Sequence, residues 1–180
     1  MGVTIHFRGQ MNNPSEIAEM VDHVQQWAAA RGWSWTHIDD DWDQERDAQL
    51  RHTGEGRIEI TGNAGLKGLS LKIDPDCETV PLLFDASGRL RSLLAFCENS
   101  SLEEGETIAV KTQFAPPEAH IQIVELLKDL KERYIADLEV MAEAPARMIC
   151  SGLGDLMSKP VSNSDWAVSA RLNATPHSDE

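Results

Sequence analysis

The sequence has little of what usually reveals a function or a compartment. Its 180 residues include three cysteines, Cys77, Cys97 and Cys150, which are far apart, odd in number and free of any C-x-x-C pair. This spacing argues against a disulfide framework or a zinc site and predicts reduced thiols. No apolar run is long enough to cross a bilayer, and the N-terminus lacks the charged and apolar segments of a signal peptide. We therefore expect a cytoplasmic protein with no membrane partner.

Positive charge is scarce. Lysine and arginine number 16 against 30 aspartates and glutamates, giving a formal net charge of -14 and a pI near 4.7. Such a surface repels phosphate backbones and anionic lipid heads, so nucleic acid is not an expected partner. The hydrophobic fraction of 41% is ordinary for a globular chain. A chain of this length can bury a stable core without disulfide bonds or bound metals.

Motifs that carry chemistry are missing as well. There is no G-x-S-x-G elbow and no H-E-x-x-H pair. The run of Gly62, Gly65 and Gly68 lacks the spacing of a phosphate loop and favours a hairpin loop. The acidic segment Asp39–Asp47 lacks the ligand spacing of an EF-hand, so we expect a charged loop that begins a short helix reaching about Leu50. The sequence predicts no catalytic residue, cofactor or metal ligand, and it leaves open whether the protein is an enzyme.

Two strand-helix-strand patterns are present instead. In the first, apolar and polar residues alternate over Val3–Arg8, which predicts a strand with one buried face. Asn13 suits a helix N-cap, Pro14 the first helical position and Glu16 the third. An apolar stripe at helical spacing follows, and Gly32 is a natural stop.

The second pattern lies past a β-rich stretch. A strand is predicted over Trp33–Thr36, and about four short strands form a meander over Gly54–Phe96. Another strand over Thr107–Thr112, a helix over Pro116–Tyr134 and a last strand over Ala136–Val140 complete the pattern.

These elements predict an α+β fold with two amphipathic helices on one face of a mixed, mostly antiparallel sheet. A ferredoxin-like pair of βαβ units would then enclose the inserted meander. The alternative is that the two halves share only the residue types that are common at all strand-to-helix junctions. Periodicity is lost after Met141, which predicts one domain over residues 1–141 and an irregular or weakly ordered tail over 142–180.

One ligand site follows from this arrangement. If the first strands of the two units run parallel, both helix starts converge at one edge of the sheet, where free N–H groups favour an anion. Gln10 and Gln113 would flank that edge, with Arg8 and Lys111 nearby and His120 as a proton donor or acceptor. The competing interpretations are that the two glutamines satisfy backbone groups at strand ends and that His120 is a histidine at the edge of the core.

Interaction is the expected mode of action. The outward strand positions, His6 and Lys72 among them, have no further helix to cover them, so this side of the sheet is left to solvent, serves for dimerisation or is covered by the irregular tail. Trp42 beside the acidic segment suits an exposed partner anchor, and the alternative for it is packing in the core. We therefore expect a small binding protein that associates with itself, as a homodimer, or with another protein through an open sheet face. The alternative is a binder of a small anion or polar metabolite, or an enzyme, with its site at the convergent helix starts.

Overall fold

The computed structural model describes residues 4–52, 58–93 and 107–143, and its first compact unit ends at Glu143. These ranges combine two α-helices with antiparallel strands, as predicted for an α+β protein. The predicted tail falls almost entirely outside the described residues. The helices are α1 (Ile17–Arg31) and α2 (Pro117–Arg133); the strands are β1 (Thr4–Arg8), β2 (Ser34–Asp39), β3 (Gln49–His52), β4 (Ile58–Thr61), β5 (Lys67–Lys72), β6 (Val80–Phe84), β7 (Ile108–Lys111) and β8 (Glu139–Glu143).

The strand β1 lies at the centre of a three-stranded sheet of order β7-β1-β8. Both neighbours run antiparallel to it, with Phe7 opposite Ile108 on one side and Val140 on the other. Because β7 and β8 share a direction, α2 connects two parallel strands that β1 separates. The predicted alternation of β1 is confirmed, since Ile5 and Phe7 are fully buried.

The inserted β-region forms a second sheet rather than a four-stranded meander. Its order is β2-β5-β6, and β3 pairs with β4 in a separate hairpin. The strand β3 was not predicted, and the predicted strand over 90–96 is represented by a single bridge between Phe84 and Leu90, with residues 94–96 outside the described ranges. Leu90 N also donates to Gly9 O at 3.0 Å, which joins this region to the end of β1.

One apolar core unites both helices and both sheets. Its helical part is the predicted stripe of α1 and the matching stripe of α2, and its strand part comes from alternate residues, as a sheet with one packed face requires. A smaller cluster on the other side of β5 and β6 consists of Ala64, Leu66 and Leu83. The fully buried members of the main core include Met20, Val24, Leu69, Leu71, Leu82, Ile123, Leu126, Leu127 and Leu130.

The ends of α1 follow from local chemistry. The Asn13 side chain accepts a hydrogen bond from Ser15 N at 3.1 Å, and a short 3-10 turn over Pro14–Glu16 precedes the α-helix. Gly32 ends the helix in the left-handed conformation, with a φ of 71° that costs glycine little. The short helix predicted after Asp39 is wrong. Residues 42–44 form a turn within an irregular segment over 40–48, and Asp41 Oδ1 accepts from Asp43 N and so satisfies the backbone locally.

The two helices run in opposite directions. His23 Nε2 of α1 lies 2.5 Å from Asp129 Oδ2 of α2, and Tyr134 OH, just after α2, lies 3.5 Å from Glu19 Oε1 near the start of α1. The start of α1 therefore lies beside the end of α2. The prediction of parallel first strands and convergent helix starts is wrong, because β7 returns along β1 in the antiparallel direction.

None of the helices in the described ranges combines the length and the apolar character that crossing a lipid bilayer demands.

Candidate functional site

The outer side of the sheet β7-β1-β8 brings several of the predicted site residues together. Strand alternation turns these side chains away from the helices. Across the strands, His6 lies between Ala109 and Met141, and the latter is 45% exposed. We call this surface the open sheet face; its residues are Thr4, His6, Arg8, Ala109, Lys111, Glu139 and Met141, most of which are exposed.

Charged pairs frame the apolar middle of the open sheet face. Arg8 donates to Glu139 across the strands, with an N–O distance of 2.7 Å, and both side chains stay about half exposed. At the opposite end, Lys111 Nζ lies 3.8 Å from Glu78 Oε1, and Glu78 Oε2 accepts from Lys111 N at 2.8 Å. Exposed pairs of this kind contribute little stability, so the charges remain usable by a partner.

A depression lies next to Lys111 and contains another predicted residue, Lys72. Its volume is about 760 Å³, and Gln113 and Phe114 form one wall while residues 75–79 form the other. Phe114 is 76% exposed, which is unusual for a large apolar side chain. We call this feature the lysine depression. It brings together Lys72, Lys111 and Gln113, which the sequence assigned to two different sites.

In the lysine depression, the side chain of Lys72 contacts the backbone of Cys77. Lys72 Nζ donates a short hydrogen bond to Cys77 O. Burial raises the pKa of the Cys77 thiol above its ordinary value of 9.0, against the opposing charge of Lys72. Because the thiolate is the reactive form, burial makes this thiol less reactive than an exposed one.

The glutamines of the predicted ligand site lie at opposite ends of the β1–β7 pair. Gln10 follows the end of β1, and Gln113 follows the end of β7, which lies beside the start of β1. Gln10 Nε2 donates to Ser87 O at 2.8 Å, and Gln10 N donates to Asp137 Oδ1 at 2.9 Å. Gln10 therefore serves the backbone at a strand end. The structure does not assemble the site that convergent helix starts would form.

His120 lies in the first turns of α2 and is partly buried. Its Nδ1 is 2.9 Å from Thr112 Oγ1, and burial lowers the pKa of His120 below its ordinary value of 6.5. A neutral imidazole bonded to a hydroxyl at the edge of the core fits the structural interpretation of this residue. It does not line the lysine depression.

Trp42 is not the exposed anchor that the sequence predicted. The indole packs against the main core, and within the described structure its Nε1 is enclosed without a hydrogen-bond partner. Lys67 Nζ lies 5.0 Å from the centroid of the ring. The acidic turns fold back over the smaller core cluster, and apolar burial holds Trp42 at their base.

Sequence reasoning missed Phe114. An apolar residue in a proline-containing loop just before a helix is expected to pack against the first turns of that helix. The neighbouring residues give no indication that Phe114 is exposed. Among the described residues, no group of three or more histidines, cysteines, aspartates or glutamates is placed to hold a metal ion.

Comparison with known proteins gives two short matches. Glycerol-1-phosphate dehydrogenase [NAD(P)+] from Bacillus velezensis is 43% identical over 44 residues, 24% of this chain and 11% of that enzyme. The Bacillus licheniformis enzyme of the same name is 40% identical over 42 residues, 23% of this chain and 10% of the enzyme. The chain thus matches about a tenth of the length of these curated relatives. No family model matches the chain. No solved structure matches it either.

Proposed function

We propose that this protein acts by binding, and that the open sheet face is its contact surface, first of all for a second copy of the chain. The observation that supports this proposal is the row of Ala109, His6 and Met141 across three neighbouring strands. Ala109 and Met141 are exposed, and the row lies on the side of the sheet away from the packed core. Protein interfaces have this arrangement, with a weakly polar centre, methionine enriched and a charged rim.

The charges of the face suit self-association. An isologous dimer brings the same patch of both copies together, so the patch must be complementary to itself. The open sheet face carries both signs, with Arg8 beside Glu139 at one end and Lys111 beside Glu78 at the other. A patch of one sign would repel its copy, whereas this one permits cross-pairing in either orientation.

Arginine placed in the row of Ala109, His6 and Met141 tests the proposal. We expect Ala109→Arg to raise the dimer dissociation constant at least about tenfold, because a buried unpaired cation costs more than 1.4 kcal/mol at an interface. Light scattering over a concentration series measures this change. Ala30→Arg, at an exposed position of α1, adds the same charge on the helix side and should leave association unchanged.

A native chain that stays monomeric at every concentration would contradict self-association. Equal weakening by Ala109→Arg and Ala30→Arg would place the contact elsewhere or show that net charge alone governs it.

The lysine depression favours a second candidate function, binding of a small anion. Two lysines, an amide and an exposed aromatic ring face one cavity of about 760 Å³, a size usual for small-molecule sites. The carboxylates of Asp76 and Glu78 also line the cavity, so the two lysines offset the local negative charge on a chain of net charge -14. Phe114 and Lys111 together suit an aromatic carboxylate. The ring of such a ligand can stack on Phe114, and its carboxylate can pair with Lys111.

Benzoate is a suitable probe for this second function. We expect it to shift the backbone amide signals of Gln113 and Phe114 saturably in an NMR titration, and Lys111→Met to weaken binding about fivefold, as loss of one exposed ion contact does. Lys128→Met removes an exposed lysine from α2 and serves as the matched control. Equal effects of the two variants would reduce the binding to general charge attraction.

We assign no oxidoreductase step to this chain. The stretch shared with the Bacillus velezensis dehydrogenase is 44 residues long and covers about a tenth of that enzyme.

A further inference from the structure

A groove on the helix side, between the first half of α1 and β2, has features of a separate site. We infer that it binds a compact organic cation, a primary ammonium or guanidinium on a short apolar stem. The groove has a volume of about 550 Å³, within the range of small-molecule sites. It lies on the opposite side of the fold from the open sheet face, and the two proposals are independent.

The floor of the groove is apolar. Ile17 and Val21 of α1 are buried, at 5% and 3% exposure, and Trp42 closes the floor with an indole that packs against the main core. A ligand stem of a few methylene groups loses its contact with water there, and this burial of apolar surface favours binding. The floor therefore selects for an apolar part in the ligand.

The rim of the groove carries uncompensated negative charge. Asp39 is paired with Lys67 at 2.9 Å, which holds the pKa of Asp39 below 3.8. The exposed carboxylate of Asp22 also lines the groove, and over residues 4–52, 58–93 and 107–143 it takes no ion pair or hydrogen bond. One acid thus remains for a ligand, on a chain whose net charge of -14 concentrates cations at its surface.

Further acceptors surround Asp22. Gln25 lies three residues further along α1, on the same side of the helix, and His37 projects from β2 into the same groove. An amide oxygen and an imidazole nitrogen can both accept hydrogen bonds. An ammonium group offers three donors, so a carboxylate with two further acceptors matches its needs.

The groove already holds one ammonium group of the chain itself. Lys67 Nζ lies 2.9 Å from a carboxylate oxygen of Asp39 and 5.0 Å from the ring centroid of Trp42. A carboxylate and an indole face together are a recognised environment for cations. A second cation would bind at Asp22, which lines the groove from the side that α1 provides.

An NMR titration of the full chain with n-butylammonium chloride tests this inference. We expect saturable shifts at the amides of Ala18, Gln25 and His37, and none with sodium n-butyrate at equal ionic strength. Asp22→Asn should raise the dissociation constant about fivefold, the effect of one exposed ion contact. Glu125→Gln, an exposed acid-to-amide change on α2, should alter it by less than about twofold, because distant surface charges are screened.

Two results would overturn the inference. One is the absence of saturable shifts at these amides. The other is equal weakening by Asp22→Asn and Glu125→Gln, which would assign the binding to the acidic surface as a whole. Neither result bears on the open sheet face, whose test is the oligomeric state of the protein.

Discussion

Replacing Asp85 by alanine should lower the free energy of unfolding by about 3 kcal/mol, the cost of removing one partner of a buried ion pair. Asp85 Oδ2 accepts from Arg91 Nε at 2.7 Å, and the two side chains are only 14% and 7% exposed. The other carboxylate oxygen accepts from Ser87 N and Arg89 N, so the same side chain also fixes the turn after β6. Urea denaturation followed by circular dichroism measures the loss.

The ion pair of Arg8 and Glu139 provides a matched control. Its N–O distance is also 2.7 Å, but its side chains are 45% and 55% exposed. Glu139→Ala should therefore cost less than about 1 kcal/mol, because water screens an exposed pair and side-chain entropy offsets it. Equal losses in Asp85→Ala and Glu139→Ala would show that burial does not govern the strength of the Asp85 pair.

The Asp85 pair also predicts how stability depends on pH. Burial alone would raise the pKa of Asp85, but hydrogen bonds from Ser87, Arg91 and the backbone of Arg89 outweigh it and hold the pKa below 3.8. A carboxyl whose pKa is lower in the folded state stabilises the fold above its unfolded value of 3.8. That contribution disappears as the pH falls through the lower folded value. Acid unfolding of Asp85→Asn should consequently be less steep than that of the native chain.

Replacing Gly68 by alanine should lower the free energy of unfolding by about 4 kcal/mol or abolish folding. Gly68 lies within β5 at a φ of 139°, and a Cβ built there would come 2.0 Å from Leu82 O on the neighbouring strand β6. That oxygen belongs to the backbone and cannot turn aside, so the two strands would have to separate. The loss of sheet pairing is measurable by circular dichroism and urea denaturation.

Gly32 is the control for backbone conformation without a clash. Its φ is 71°, and a Cβ there would meet no atom within 4 Å. Gly32→Ala should cost only the left-handed conformation, about 1 kcal/mol. A Gly68→Ala variant no less stable than Gly32→Ala would mean that β5 and β6 are not packed as described.

The local features of this fold were readable from the sequence. The alternation over Val3–Arg8 predicts β1, Asn13 and Gly32 mark the ends of the first helical segment, and the stripe that contains Ile123 and Leu130 predicts the buried side of α2. Each signal acts within about one helical turn or one strand, the distance over which a side chain affects its own backbone.

Candidate sites were predictable only in part. Lys111 and Gln113 were chosen for a site with Gln10, yet the fold places them beside Lys72 and Phe114 in the lysine depression. The residue types suited binding, but their grouping depended on which strand ends meet. Trp42 illustrates the same limit, because its acidic neighbours predicted exposure, whereas long-range packing placed it against the core.

The sequence by itself determined the net charge of -14 and most of the kinds of element along the chain, since composition and short-range periodicity decide these properties. Only the tertiary structure decided that β7 runs antiparallel to β1, that the helix starts lie at opposite ends and that the inserted strands build a second sheet. Strand direction and neighbourhood depend on contacts between residues up to 139 positions apart, as between Thr4 and Glu143. No periodicity along the chain encodes such pairings, because they form only when the apolar faces of distant segments are buried together.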